Sequence, residues 1–264
     1  MKKFGKVLSL VFAIAGTAGV AAHLNHAVGP AKVLASTAQL QPLKPPADGK
    51  INVAFVISDG ADVMDIVGPW EVFNDTMLTS SGKPWHGSDG DDMVMPFNTY
   101  TVSDSQQPTN AGGLTVIPNY TFDKAPKPQV IVIPAQGGRT PAQKAWLLAN
   151  SAEADITMSV CTGASMLAGY GMLAGQTATT HHLFWGQMQK QYPAVHFLSG
   201  TRFVDHGKIA TAGGVTSGID LALHVVERYY GREVAESAAD FTEYRSELWK
   251  NPDYDQVRAV AAAK

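Results

Sequence analysis

One cysteine, Cys161, stands alone in a chain of 264 residues, and small residues flank it at Ser159, Gly163 and Ala164. A thiol can attack carbon only when the backbone turns it out of its strand, through a tight turn that needs small neighbours on either side. Apolar sequence runs up to Cys161 and helix-forming sequence starts at Thr162, which predicts a strand-to-helix elbow. A helix opening there would point its N-terminus at sulfur, stabilise thiolate and lower the thiol pKa. Its free N–H groups would also serve a developing oxyanion. The competing reading is a small buried hydrophobe or an intermolecular link, because one cysteine allows no internal disulfide.

Other chemistry-bearing residues are less telling. Of eight histidines, the five outside the motifs and helices show no zinc-ligand spacing. His23, His26, His86, His196 and His206 fall in linker or loop sequence, and His224 sits in an apolar helical stretch as a satisfied, partly buried side chain. Asp89, Asp91 and Asp92 crowd one glycine-rich loop without the ordered ligand pattern of a calcium loop. No metal and no cofactor is expected.

The elements that must position Cys161 read as an alternation of strands and helices. Residues 51–58 form a nearly continuous apolar run, the pattern of a strand buried on both faces. A helix over 65–78 follows, with Pro69 suited to its first turn. The segment 79–96 reads as a polar loop. Strands are expected at Phe97–Ser103, 114–117, Val130–Ile133, 156–160 and 177–180, with turns over 110–113 and 119–128. Helices are expected over 141–150, 162–170, 183–191, Ser217–Tyr230 and 232–244, and a hairpin over 202–211 turning at His206 and Gly207. Such alternation implies a doubly wound, mostly parallel α/β sheet, whose ligands sit beyond the carboxyl ends of the strands. Cys161 is at such an end.

Composition supports one domain of this size. The chain of 28.1 kDa is 45% hydrophobic and 16% charged, enough apolar material for a large core. Lys2, Lys3 and Lys6 precede an apolar run that ends Val20-Ala21-Ala22. Residues 1–22 therefore read as an export signal, with an uncleaved membrane anchor facing outward as the alternative. The expected location is outside the cytoplasm, in a periplasm. Without that leader 17 basic side chains face 23 acidic ones, a net of −6, and no basic footprint for nucleic acid remains. Residues 23–50 read as a flexible linker, 51–247 as the folded domain and 248–264 as a tail whose Trp249, Tyr254 and Val257 could cover a neighbour or pack at home.

Four blocks carry a family resemblance: MDIVGPWEVF at residues 64–73, SVCTGA at 159–164, ATTH at 178–181 and GGVTSGID at 213–220. Over residues 51–244 the sequence resembles the ThiJ/PfpI superfamily, with its flavodoxin-like, class I glutamine amidotransferase-like fold. The elbow and the Thr179-Thr180-His181 segment are most similar to isonitrile hydratases and to the sensor domains of certain AraC-type regulators. The protease-like branch has His directly after its cysteine, where this chain has Thr162.

The resemblance implies roles for particular residues. Asp65 matches an acidic residue that faces the elbow cysteine, where a carboxyl so close to a thiolate would tend to hold its proton and donate it to sulfur or substrate. Its other reading is a helix cap. His181 matches a histidine beside the cysteine, a proton shuttle or a substrate-orienting group; its neighbour His182 is read as surface. Thr162, Gly137, Gly138, Gly214 and Thr216 are the oxyanion and pocket candidates, Gly213 a further wall residue. Pro134-Ala135-Gln136-Gly137-Gly138 departs from relatives that place two glycines directly after the proline, which leaves Gln136, Gly137 and Gly138 as alternative amide donors.

These residues lead to a cysteine-dependent enzyme that hydrates or hydrolyses a small carbon–nitrogen substrate, with Cys161 as nucleophile and Asp65 moving the proton. One alternative is a redox or stress protein whose Cys161 becomes a stabilised sulfinate. Another is a non-catalytic ligand-binding module, against which the twenty residues after Tyr244 leave no room for a helix-turn-helix. The expected partners are a small-molecule substrate and, by analogy with relatives, a second copy of the chain.

Overall fold

The computed structural model describes residues 40–47, 49–87 and 92–251. The expected signal, most of the linker, and Tyr254 and Val257 of the tail lie outside the described residues.

Seven strands make one sheet: β1 (Ile51–Val56), β2 (Phe97–Ser103), β3 (Tyr120–Thr121), β4 (Val130–Ile133), β5 (Ile156–Ser159), β6 (Phe203–Asp205) and β7 (Ile209–Ala212). Their spatial order is β6-β7-β5-β4-β1-β2-β3. All pairings are parallel except the β6–β7 hairpin at one edge. The hairpin turns at His206 and Gly207, where Gly207 takes φ +96° and its N–H is held by Asp205 Oδ1 at 2.7 Å. Register runs Val53 to Val130 to Ile156 across β1, β4 and β5, so these strands end together at one edge.

Six helices cover the two faces: α1 (Val63–Asn74), α2 (Pro141–Glu153), α3 (Ala164–Gly169), α4 (Trp185–Gln191), α5 (Ser217–Tyr230) and α6 (Arg232–Phe241). Strand alternation divides the core. Ile51, Val53 and Phe55 face a cluster closed by Val72, Phe73, Leu221, Val225 and Ala235 of α1, α5 and α6. Ala54 and Val56 face Leu147, Met166, Leu167 and Met188 of α2, α3 and α4. The sheet is therefore doubly wound, as the alternation predicts.

Several local expectations are corrected. The first helix starts at Val63 because Asp62 caps it, accepting the Met64 N–H at 3.1 Å. Asp65 is consequently inside the first turn, and Pro69 lies in the second. Strand 114–117 shortens to Leu114–Val116 and pairs with Thr109–Ala111 in a separate hairpin. The strand expected over 177–180 is Thr177–Ala178, paired with His196–Phe197 outside the main sheet. The loop over 79–96 hides the bridge Leu78–Thr79 to Met93–Val94, and the turn segment 119–128 contains the edge strand β3. Residues 41–43 are held at the end of α5: Leu43 N–H donates to the Arg228 carbonyl at 2.8 Å and Arg228 Nη2 to the Gln41 carbonyl at 3.2 Å. Trp249 packs at home, 2% exposed, between the cations of Arg232 and Lys250. Among the described residues no helix is long and apolar enough to cross a membrane.

Candidate active site at the strand-to-helix elbow

β5 ends at Ser159, yet the next two amides keep sheet-like bonds: Val160 donates to the Ile133 carbonyl at 2.9 Å and Cys161 to the Gly213 carbonyl at 2.7 Å. The chain then turns at Cys161 with φ +58°, a left-handed conformation that costs a non-glycine residue about 1–3 kcal/mol. One 3-10 turn, Cys161–Gly163, leads into α3. Only glycine fits at 163, because a Cβ there would run into the carbonyl oxygens of Ile133 and Pro134. From the other side Thr180 Oγ1 donates to the Cys161 carbonyl at 3.0 Å. The elbow expected from small neighbours is formed and clamped on three sides.

Cys161 is 7% exposed, and its sulfur receives the backbone N–H groups of Thr162 and Val215. Val215 achieves this with φ +50°, a second strained non-glycine residue facing the first. Burial pushes the Cys161 thiol up to about 11, the charge of Asp65 pushes the same way, and the two amides do not overcome them. The lowered thiol pKa expected from a helix N-terminus is thus corrected. α3 has only six residues and begins three residues after the sulfur, so its dipole is small and displaced.

Asp65 is fully buried. Its Oδ2 accepts the Ala135 N–H at 2.9 Å, while its Oδ1 has no partner among the described residues. Burial pushes the carboxyl up to about 7; the Ala135 bond works against this and the charge of Asp62 with it. Asp65 therefore holds its proton more firmly than a surface carboxyl does. Asp62 reaches further than its capping role, since its charge acts on Asp65, Cys161 and His181 alike. The sequence reading missed Asp62 and Val215. The signal was present as two aspartates three apart at a helix start, and as the Gly213 to Gly218 run.

His181 accepts the Leu183 N–H on Nδ1 at 3.2 Å, so a neutral ring carries its proton on Nε2. Burial and then His182, stacked on it at 4.5 Å, hold its pKa below the ordinary histidine value, with Asp62 opposing. His182 is exposed, as its surface reading expects, and it also stacks on His181. Gly214 lies directly against His181, because a Cβ at 214 would enter the ring. Thr216 accepts from Arg202 Nη2 at 3.1 Å. The altered loop resolves into distinct jobs: Ala135 serves Asp65, and Gly138 N–H donates to Ser58 Oγ at 3.2 Å. Gln136 spans Ser58 Oγ at 2.7 Å and the Val56 carbonyl at 2.8 Å, and Gly137 is exposed. Thr162 and Val215, rather than Gly137 or Gly138, supply the amides at sulfur. His224 pairs with Asp205 Oδ2 at 2.9 Å, far along the chain from the elbow residues.

A cavity of about 540 Å3 opens beside the elbow, lined by Thr179, Thr180, His181, His182, Trp185, Arg202 and Val215 among others. Its wall meets Cys161 at Thr180, Gly213 and Val215, each bonded to that residue. The volume suits a small molecule. Among the described residues no group of three or more His, Cys, Asp or Glu side chains is placed to hold a metal ion.

Known proteins agree with this architecture. The chain is 27% identical over 199 residues to the isonitrile hydratase of Pseudomonas putida, covering 70% of this chain and 75% of that protein. It is 26% identical over 153 residues to the HTH-type transcriptional regulator GbdR of Pseudomonas aeruginosa, a match spanning 56% of this chain and only 41% of the regulator. A ThiJ/PfpI family protein from Pseudomonas syringae superposes with a TM-score of 0.62 at 24% identity, covering 90% and 91% of the two chains. Drosophila melanogaster DJ-1beta gives 0.61 at 13% identity, over 75% of this chain and all of that one. The DJ-1/PfpI family pattern matches residues 51–228, from the first strand of the sheet to the last turn of α5, and so takes in Asp65, Cys161 and His181: the chain belongs to the DJ-1/PfpI family.

Proposed function

We propose that this chain is an exported, cysteine-dependent enzyme that adds water to a small carbon–nitrogen substrate, with isonitrile hydration as its reaction. One observation carries the reading: a buried carboxyl that holds its proton near neutrality, Asp65, shares the elbow with a thiol that two backbone amides address. Likeness to an isonitrile hydratase over most of both chains supports the substrate class. The lysine-led apolar leader at residues 1–22 supports export.

The terminal carbon of an isonitrile accepts both a proton and a nucleophile. Asp65 gives its proton to that carbon while sulfur bonds to it, and the thiol proton returns to Asp65, leaving a thioimidate R–N=CH–S on Cys161. Water then adds to the same carbon, nitrogen takes a proton, and sulfur leaves with the other. The product is the formamide R–NH–CHO and the free thiol is restored. The Thr162 and Val215 amides steady the charge that gathers on sulfur as it leaves.

The raised thiol argues against the redox reading, because oxidation by peroxide follows thiolate character and exposure. The experiment is a panel of small isonitriles and amides offered to the mature protein. Formamide release by wild type, lost at least a hundredfold in Cys161→Ala and Asp65→Asn, is expected. A wild-type protein inactive across the panel, yet forming a stable two-oxygen adduct at Cys161 in mild peroxide, would overturn it.

A further inference from the structure

Arg202 lines the cavity beside the elbow, and it is locked from behind. Its Nε donates to Asp220 Oδ2 at 2.6 Å, its Nη2 contacts the same oxygen, and Nη2 also donates to Thr216 Oγ1 at 3.1 Å. Asp220 is fully buried, and its Oδ1 accepts the Tyr244 hydroxyl at 3.1 Å. That leaves Nη1, which no acceptor among the described residues engages. The side chain keeps 17% exposure. A guanidinium fixed on two nitrogens presents its third as a preorganised donor, with little entropy left to lose on binding an oxygen.

The rest of the cavity agrees with an acceptor ligand. No aspartate or glutamate lines it among the described residues, and His181 faces it with a ring that carries its proton on Nε2 when neutral. Ser199 and Ser217 join the wall. Backbone bonding sets the reach: Gly213 donates to the Arg202 carbonyl at 2.8 Å and accepts from Cys161 at 2.7 Å. The Arg202 and Cys161 backbones are therefore about two strand spacings apart, roughly 10 Å, so both residues border one small-molecule site. Its charge is already shared with Asp220, so a monoanion fits better than a phosphate dianion.

We propose that Arg202 is the specificity-determining residue of this cavity and that it selects a small substrate carrying a carboxylate. The proposal rests on the hydratase reading for the reacting end of the substrate only. Binding is therefore measured apart from turnover, with N-formylglycine and its methyl ester titrated calorimetrically into Cys161→Ala. The acid should bind at least tenfold more tightly than the ester, and Arg202→Gln in the same background should erase the difference. Arg202→Lys, which keeps a cation beside Asp220, covers the case in which the glutamine variant fails to fold; it should retain part of the preference. Equal binding of acid and ester by folded Cys161→Ala, or no binding of either, overturns the proposal. Turnover of isocyanoacetate and its methyl ester separates the two readings. A carboxylate preference in binding without turnover of either isonitrile upholds the pocket and removes the hydratase; equal turnover and equal binding do the reverse.

Discussion

Ala135 donates its N–H to one oxygen of Asp65 at 2.9 Å, and the other oxygen of that carboxyl is left buried without a partner. A carboxylate buried with one oxygen unpartnered bears the full cost of desolvating its charge, a cost that a neutral carboxyl largely escapes. The bond from Ala135 favours the carboxylate, but burial outweighs it, and Asp65 keeps its proton up to about 7.

The proton sets a pH dependence. Turnover requires Asp65 as the acid, so kcat/KM should fall as pH rises through about 7, a loss that Asp65→Asn cannot show because it starts inactive. Stability follows the same group. Its folded pKa is raised, so between about 4 and about 7 the unfolded chain is ionised while the folded one still holds the proton. Stability is lost across that window as pH rises, and Asp65→Asn should be the more stable protein at pH 8 by the order of 1–3 kcal/mol. Thermal melts at pH 4 and pH 8 check the sign.

Gly163→Ala should be severely destabilising, by about 2 kcal/mol or more. The added methyl meets the carbonyls of Ile133 and Pro134, and neither backbone can retreat without breaking the parallel pairing of β4 with β5. Urea midpoints compared with Gly137→Ala, whose methyl would meet nothing, give the control.

Val215→Gly should cost less than about 1 kcal/mol and keep most of the activity. The positive φ at Val215 suits glycine better than valine, the side chain is only half-buried, and the contribution to sulfur is a backbone N–H that survives the change. A large loss of kcat would mean that the valine side chain, rather than the amide, matters.

Trp249→Ala should cost about 3–5 kcal/mol, measured by denaturant unfolding. The ring is nearly fully buried in the core under α6, so the expected tail begins with a structural residue of the domain.

The alternation of strands and helices was legible because hydrophobic periodicity responds to the two faces of the sheet. Val130–Ile133 is all β-branched and entirely buried, and the sequence alone marks it as a central strand. The elbow was legible for a similar reason, since Ser159, Gly163 and Ala164 surround the one thiol. Short pairings such as β3 were hidden: two residues carry no period, and their partners come from distant chain. Thiol acidity was read with the wrong sign because burial and the Asp65 charge arise from packing, while the sequence offered only a helix start. Val215 was passed over because its service is a backbone amide, to which side-chain type is blind.

The two edges of the sheet differ from its centre in length. β3 has two residues and β6 has three, against six and seven in β1 and β2. Such stubs present few unpaired amides and carbonyls to another chain, which guards a strand-rich protein against aggregation by edge-to-edge growth. Among the described residues, the two edges of this sheet offer a second copy almost no ladder to extend.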